Sequence, residues 1–520
     1  MSRYNGMLAV LGFALIAVAG VLLRPMLPVD ETRYLAVAWE MWNSGDYLVP
    51  TKNFEIYSHK PPVLFWAINL VWSITGVSEI AGRLVGPSFA VIAILLTGRL
   101  AKVLWPDEAG ISGRAMLALS GMLAFTLYGG LTMFDAALTA TTVGGMLAIV
   151  AAIETKKRRY WAGLGIALAA GGLVKGPVIF VHLLPALALL PLSPGDRWNV
   201  TWKELGRGAL IALGTGIAVV GFWVVPASIS GGAEYRDAIL WTQSAGRVSN
   251  SFAHAKPWWF FIALLPVLLF PWIAMPALWL SGRKQNWRDP GLWISLVWAT
   301  SALVIFSLIS GKQLHYLIPE LAAASLIVAR VLPERASVLA PAVIFVILAL
   351  AGIAVTAGFV PLGRIDPLFE PKSMALAWAL FMIAMCLIAL RAKGLRGGVI
   401  LSLSVVFASN VFVGLTRTHP TFDSHKFAAV MSPFKQDGIA SYGWNYQAEF
   451  NFAARLTSPV EILNGRDELS QWQTDHPNGV IISRLDQENP SWRAHKIILY
   501  RNKPYAIWRV MDAPKPEPSS

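Results

Sequence analysis

Long apolar runs separated by short polar segments dominate the chain as far as Leu415. A run of roughly 17–25 apolar residues is long enough to cross a bilayer as a helix, and about thirteen such runs follow one another, some of them short or interrupted by glycine. They cover approximately 7–27, 84–104, 115–130, 135–153, 160–174, 177–192, 208–230, 257–280, 290–310, 314–332, 337–360, 373–391 and 398–415. The first continues to Leu27, past the processing-like Ala17-Val18-Ala19, which favours a retained span over a cleaved leader. Beyond Leu415 the pattern changes. Alternation over Gly479–Leu485 and Ile497–Met511 predicts strands, while Tyr446–Leu456 and Asp467–His476 predict short helices. The expected organisation is a membrane domain, residues 1–415, whose 29–62 segment is a long loop with an interfacial helix, and a small α/β domain, residues 416–520, with a disordered Pro- and Ser-rich end from Pro514.

Composition agrees with a polytopic α-helical membrane protein: of 520 residues, 55% are hydrophobic and only 14% charged. The single cysteine, Cys386, rules out a disulfide framework, so compartment must come from topology. A net charge of +13 suits either nucleic acid or the basic cytoplasmic loops of a membrane protein, and its distribution decides between them. With the N-terminus inside, Arg114, Lys156 to Arg159, Arg197, Lys203, Arg207, Arg283, Lys284, Arg288, Arg335, Arg391, Lys393 and Arg396 all fall on the inner side. The 29–62 loop and the tail then face outward, and no nucleic-acid partner is needed.

Asp30, Glu31, Arg33, Tyr34, Tyr57, His59, Lys60, Asp135, Lys175, Arg247, Lys312 and Tyr316 gather on that outer side. A helix starting at Asp30 places residues 30, 33 and 34 on one face. Asp30 then either caps the helix while Arg33 meets lipid phosphates, or serves as a reactive carboxylate beside a cation. Lys60, held before the rigid Pro61-Pro62, suits an anion ligand or a snorkelling side chain. Asp135 complements a helix dipole or acts chemically. Lys175 interrupts an apolar stretch at Lys175-Gly176-Pro177, where a break exposes a cation to an aqueous cavity. Arg247, Lys312 and Tyr316, taken singly, suit interfacial anchors. Taken together, several cations beside lipid suit a buried phosphodiester. There is no Gly-rich nucleotide loop.

In order, Asp30-Glu31-Thr32-Arg33-Tyr34, Ser44-Gly45-Asp46-Tyr47-Leu48-Val49-Pro50, Lys60-Pro61-Pro62, Ala81-Gly82-Arg83-Leu84, Asp135, Lys175-Gly176-Pro177, Pro271-Trp272 and Lys312 to Pro319 form a succession across the membrane domain. It resembles the bacterial branch of the protein O-mannosyltransferases, typified by the 4-amino-4-deoxy-L-arabinose transferase that modifies lipid A. The resemblance implies a type C glycosyltransferase fold in the bacterial inner membrane. Its donor is a polyprenyl-phosphate sugar, used on the periplasmic side, and its acceptor is lipid A, lipopolysaccharide or another envelope molecule. It makes Asp30 the leading catalytic carboxylate with Asp135 as a second candidate. Lys60 and Arg247 become donor-phosphate ligands with Arg33 and Tyr316 nearby, and Glu31, Tyr34, Tyr57, His59, Lys175 and Lys312 become cavity residues. Metal-holding members carry Glu before Lys-Pro-Pro and His three residues before the phosphate-binding Arg, where this chain has His59 and Ser244. His254, His315 and His419 lack ligand spacing, so no metal or other cofactor is expected. A transporter or lipid flippase is the rival reading, since broken helices with ionisable residues also suit a transport path.

Overall fold

The computed structural model describes residues 2–195, 197–239, 255–360, 363, 368–487 and 489–513. Its helices, in chain order, are α1 (Ser2–Leu23), α2 (Asp30–Ser44), α3 (Val63–Thr75), α4 (Glu79–Arg83), α5 (Val85–Leu104), α6 (Ile111–Ser120), α7 (Leu123–Gly129), α8 (Phe134–Thr155), α9 (Arg158–Lys175), α10 (Val178–Leu189), α11 (Trp202–Ser230) and α12 (Gly232–Asp237). They continue with α13 (Phe260–Leu268), α14 (Pro276–Gly282), α15 (Pro290–Leu308), α16 (Glu320–Val331), α17 (Leu339–Thr356), α18 (Lys372–Ala392) and α19 (Gly394–Leu415). Among the described residues, eight helices are long and apolar enough to cross a membrane, or nine if the bent pair α6–α7 is one span.

The difference from about thirteen apolar runs is five: the 160–174 and 177–192 runs form α9 and the short α10, neither of which is among the eight, and three other runs are divided for local reasons. The pair α6–α7 bends by 72° at Gly121-Met122, where a Cβ on Gly121 would come within 2.6 Å of the Trp272 ring. The 257–280 run is divided into α13, a 3-10 turn at Trp272–Ala274 and α14, with Pro271 and Pro276 at the breaks. The 314–332 run splits into a 3-10 turn, Leu314–Leu317, and α16, separated by Pro319. Burial then sorts the helices. The apolar window of α8 is 78% buried, which makes it the centre of the bundle, whereas that of α11 is only 17% buried and suits contact with lipid. Gly165 of α9 lets α11 approach so closely that a Cβ there would lie 2.4 Å from the Ala212 carbonyl oxygen.

Beyond α19 the chain forms α20 (Thr418–Phe422), α21 (His425–Met431), α22 (Asn451–Ala454) and α23 (Arg466–Asp475). A short hairpin, β1 (Thr51–Lys52) and β2 (Glu55–Ile56), precedes them in the loop after α2. The tail carries β3 (Ile439–Tyr442), β4 (Glu461–Leu463), β5 (Val480–Arg484), β6 (Lys496–Tyr500) and β7 (Lys503–Arg509), in the sheet order β4-β3-β5-β7-β6. Strands β4, β3 and β5 run parallel, and β5, β7 and β6 antiparallel. The 497–511 alternation forms the hairpin β6–β7, and the helix expected over 446–456 is confined to α22.

Helix α2 is held from both sides. Glu40 accepts hydrogen bonds from Thr51 Oγ1 at 2.8 Å, Asn53 N at 2.9 Å, Phe54 N at 2.8 Å and Asn451 Nδ2 at 3.0 Å, which ties α2 to the hairpin and the tail. Trp39 Nε1 donates to the Leu456 carbonyl at 2.8 Å. At the other end, the buried Glu31 carboxylate pairs with Arg24, lies 3.9 Å from Arg83, and accepts from Leu27 N at 3.0 Å and Thr132 N at 2.9 Å. Burial alone would raise its pKa, but the two guanidiniums and these hydrogen bonds hold it down at about 2. Arg83 continues to Glu79 at 2.8 Å, and Glu79 to His425 of the tail at 3.1 Å. Removing one member of such a cluster leaves buried charge without compensation. Glu31→Ala is therefore expected to cost about 3–5 kcal/mol, read as a marked drop in the melting temperature of detergent-purified protein. An unchanged melting temperature would show that the cluster does not support the fold.

Candidate active site

The first turn of α2 presents Asp30, Arg33 and Tyr34 on one face, as their spacing predicts. Asp30 Oδ1 accepts from Arg33 Nη2 at 2.6 Å and from Tyr34 Oη at 3.1 Å. Asp30 is not the helix cap. Val29 occupies that position without a capping side chain, and the Asp30 carboxylate is engaged with its neighbours instead.

From Tyr34 the contacts run inward. Its ring packs edge-on against Phe134 at 4.9 Å, and the Lys60 ammonium lies 5.3 Å from the centre of the same Phe134 ring. Tyr57 and His59 stack in parallel at 5.6 Å. Next to Phe134, Asp135 Oδ1 accepts from Lys175 Nζ at 2.6 Å. Lys175 in turn sits 5.3 Å from the centre of the Tyr316 ring. The break after α9 makes this reach possible: Gly176, with φ of +74°, turns the chain in a conformation that favours glycine, and Pro177 starts the next helix. The structure thus brings Asp30, Arg33, Tyr34, Tyr57, His59, Lys60, Asp135, Lys175 and Tyr316 into one neighbourhood.

Two candidates lie elsewhere. Glu31, expected in the cavity, turns away from Asp30 around α2 and is enclosed in the Arg24–Arg83 cluster. Lys312, also expected there, is buried and donates to the backbone carbonyls of Lys256, at 3.0 Å, and Ile309. It fastens the segment beside the Ala255–Gly311 bridge. Arg247, Ser244 and His254 fall outside the described residues. Tyr128 was not among the sequence candidates, because it lies within an apolar run. Its ring is 6.0 Å from His315, which in turn packs on Tyr316 at 5.2 Å. No group of three or more His, Cys, Asp or Glu side chains converges to hold a metal among the described residues.

A cavity of about 460 Å³ opens between α9, α10 and α11. Ser58, His59, Lys60 and Lys175 form its polar end. The remainder is apolar or small, including Leu168, Leu173, Phe180, Ile217, Val220 and Trp223 with Gly172, Gly216 and Gly221. An apolar trough thus ends at two ammonium groups, one of them paired with a buried carboxylate.

The comparisons with known proteins match this region. Residues 59–223, which contain Lys60, Asp135, Lys175, all of α9 and α10 and most of α11, match the dolichyl-phosphate-mannose-protein mannosyltransferase family model. Over 317 residues the chain is 30% identical to the undecaprenyl phosphate-alpha-4-amino-4-deoxy-L-arabinose arabinosyl transferase of Pseudomonas aeruginosa strain LESB58, covering 59% of this chain and 55% of that protein. Over 307 residues it is 26% identical to the transferase of the same name from Pectobacterium carotovorum strain PC1, covering 58% and 54%. The chain therefore spans little more than half the length of the curated relatives it matches. Crystal structures of ArnT from Cupriavidus metallidurans match almost end to end. The form bound to undecaprenyl phosphate has a TM-score of 0.75 at 16% identity over 98% of this chain and 99% of that one. The apo form has 0.75 at 17%, over 99% and 100%. The fold is the type C glycosyltransferase fold.

In this type C fold, burial and the nearby charged groups set the state of His315. Burial pushes its pKa down to about 4, with Lys175 and Lys60 adding to the effect and Asp135 and Asp30 opposing it. A histidine whose folded pKa lies below its ordinary value is neutral at pH 7. The unfolded chain takes up the proton first, so stability is full above about pH 6.5 and is lost as pH falls towards about 4. The melting temperature of the unsubstituted protein is expected to fall more steeply between pH 7 and 5 than that of His315→Gln. Parallel profiles would contradict this account of the imidazole.

Proposed function

We propose that the chain is an integral-membrane glycosyltransferase that moves a sugar from a polyprenyl-phosphate carrier to lipid A, lipopolysaccharide or another envelope lipid. The observation that carries this reading is the trough between α9, α10 and α11, which ends at Lys60 and Lys175. Its shape and chemistry suit an isoprenoid chain with a phosphate at one end. The matched relatives named for undecaprenyl phosphate-linked aminoarabinose support a donor of that class. A transport path would instead distribute polar groups along its length, whereas here they collect at one end.

In the proposed reaction, displacement at the anomeric carbon leaves negative charge on the departing phosphate. Lys60 and Arg247, with Arg33 and Tyr316 nearby, stabilise that charge without a metal ion. Asp30 accepts a proton from an acceptor hydroxyl, or orients an acceptor that is itself a phosphate and needs no general base. Asp135 fixes the Lys175 ammonium at the cavity wall, the arrangement seen in their 2.6 Å pair. Residues 1–415 form the transferase unit in this reading, and Asn451 and Leu456 of the tail hold α2. The basic residues of the opposite loops support a bacterial inner-membrane location with the cavity and tail on the periplasmic side.

The test pairs binding of undecaprenyl phosphate to purified protein with sugar transfer to envelope lipids, followed by mass spectrometry. Asp30→Asn is expected to bind the lipid normally and lose at least about 100-fold in transfer. Lys60→Ala is expected to weaken binding about tenfold or more, because it removes a charged partner from a partly desolvated phosphate. Undiminished transfer by Asp30→Asn, or an unsubstituted protein with no affinity for the lipid, would overturn the proposal.

A further inference from the structure

His182 and Glu320 form a buried ionisable pair that takes no part in the proposed chemistry. His182 is 0% exposed and Glu320 5%, and His182 Nδ1 lies 2.5 Å from Glu320 Oε1. Their other polar atoms, His182 Nε2 and Glu320 Oε2, have no hydrogen-bond partner among the described residues. The contrast with Glu31 is sharp, since that carboxylate engages two guanidiniums and two backbone amides. A partly satisfied buried pair contributes little to stability, and well-packed apolar side chains of similar size often serve as well or better. What the pair does supply is a directional link between two particular segments.

Those segments flank Lys175, which lines the cavity. His182 sits in the second turn of α10, which begins directly after Lys175-Gly176-Pro177. Glu320 opens α16, directly after the turn that carries His315 and Tyr316. The same segments meet beside the cavity, where its Lys175 lies 5.3 Å from the Tyr316 ring centre. Between the two links stands Phe306 of α15, 5.4 Å from the His182 ring and 5.8 Å from the Tyr316 ring. One hydrogen bond and one shared aromatic ring therefore tie the α10 and α16 starts together just behind Lys175 and Tyr316.

We propose that His182 and Glu320 are positioning residues: their link holds the Tyr316 turn against Lys175 and so sets where the phenol and the ammonium meet the donor's phosphate. This rests on reading the cavity as a polyprenyl-phosphate site. A link of this kind acts on ligand affinity through Tyr316, whereas a merely structural contact acts on stability alone.

The experiment uses the full chain in nanodiscs, with undecaprenyl phosphate as the probe and melting temperature measured alongside. The double variant His182→Leu/Glu320→Leu fills the space with apolar groups. It is expected to melt at or above the unsubstituted temperature yet bind about tenfold more weakly. Glu320→Gln keeps an oxygen acceptor for the imidazole and is expected to stay within about threefold of the unsubstituted affinity. If the double variant does not purify folded, Glu320→Ala is compared in the native and Tyr316→Phe backgrounds. A loss that shrinks when the phenol is absent supports positioning, and additive losses overturn it. A stable double variant with native affinity overturns positioning while leaving the donor reading intact. An unsubstituted protein that does not bind undecaprenyl phosphate overturns both.

Discussion

A carboxylate cannot be enclosed among apolar helices without charged or hydrogen-bonded partners, and the way Glu31 meets that requirement places the rest of the site. Its partners come from the end of α1, from α4 and from the segment ahead of α8. Once they converge, the start of α2 is fixed relative to the start of α8, and Asp30 and Asp135 follow on the cavity side. Glu40 does the same at the other end of α2, engaging the hairpin and the tail. The helix that presents Asp30 is thus held by two buried carboxylates, Glu31 and Glu40, with Asp30 and Arg33 left partly exposed on its first turn.

The cavity balances charge in a related way. Lys175 is compensated by Asp135 and Arg33 by Asp30, while Lys60 lies over an aromatic ring. A phosphate arriving at the end of the apolar trough meets cations already oriented by carboxylates and π-faces, so little rearrangement is needed to receive it. The neutral imidazole of His315 adds no positive charge at pH 7 to those ammoniums, because its burial, aided by them, excludes the proton.

Much of this was legible in the chain. Helical spacing put Asp30, Arg33 and Tyr34 on one face, and the Lys175-Gly176-Pro177 break marked a cation at a helix end. Apolar run length located the spans, but it could not show that proline and a glycine facing Trp272 would divide three of them. Strands β3 and β4 are only 4 and 3 residues long, too short for alternation to register. Glu31 looked like a cavity residue because it adjoins Asp30 in sequence, yet neighbouring helical residues point about 100° apart. Its amide partner at Thr132 is 101 residues away. Lys312 is bound by backbone carbonyls, which carry no side-chain signal. The His182–Glu320 pair joins residues 138 apart and has no local pattern at all.

In the proposed function the trough between α9, α10 and α11 holds the carrier's isoprenoid chain with its phosphate at Lys60 and Lys175. Photocrosslinking with an undecaprenyl phosphate analogue bearing a diazirine on its isoprenoid tests this most directly. Peptide mapping is expected to place the label on α9 and α11, around Gly172 and Gly216 to Val220, with labelling suppressed by excess undecaprenyl phosphate. Label confined to α17, α18 or α19, or unaffected by the competitor, would contradict the account.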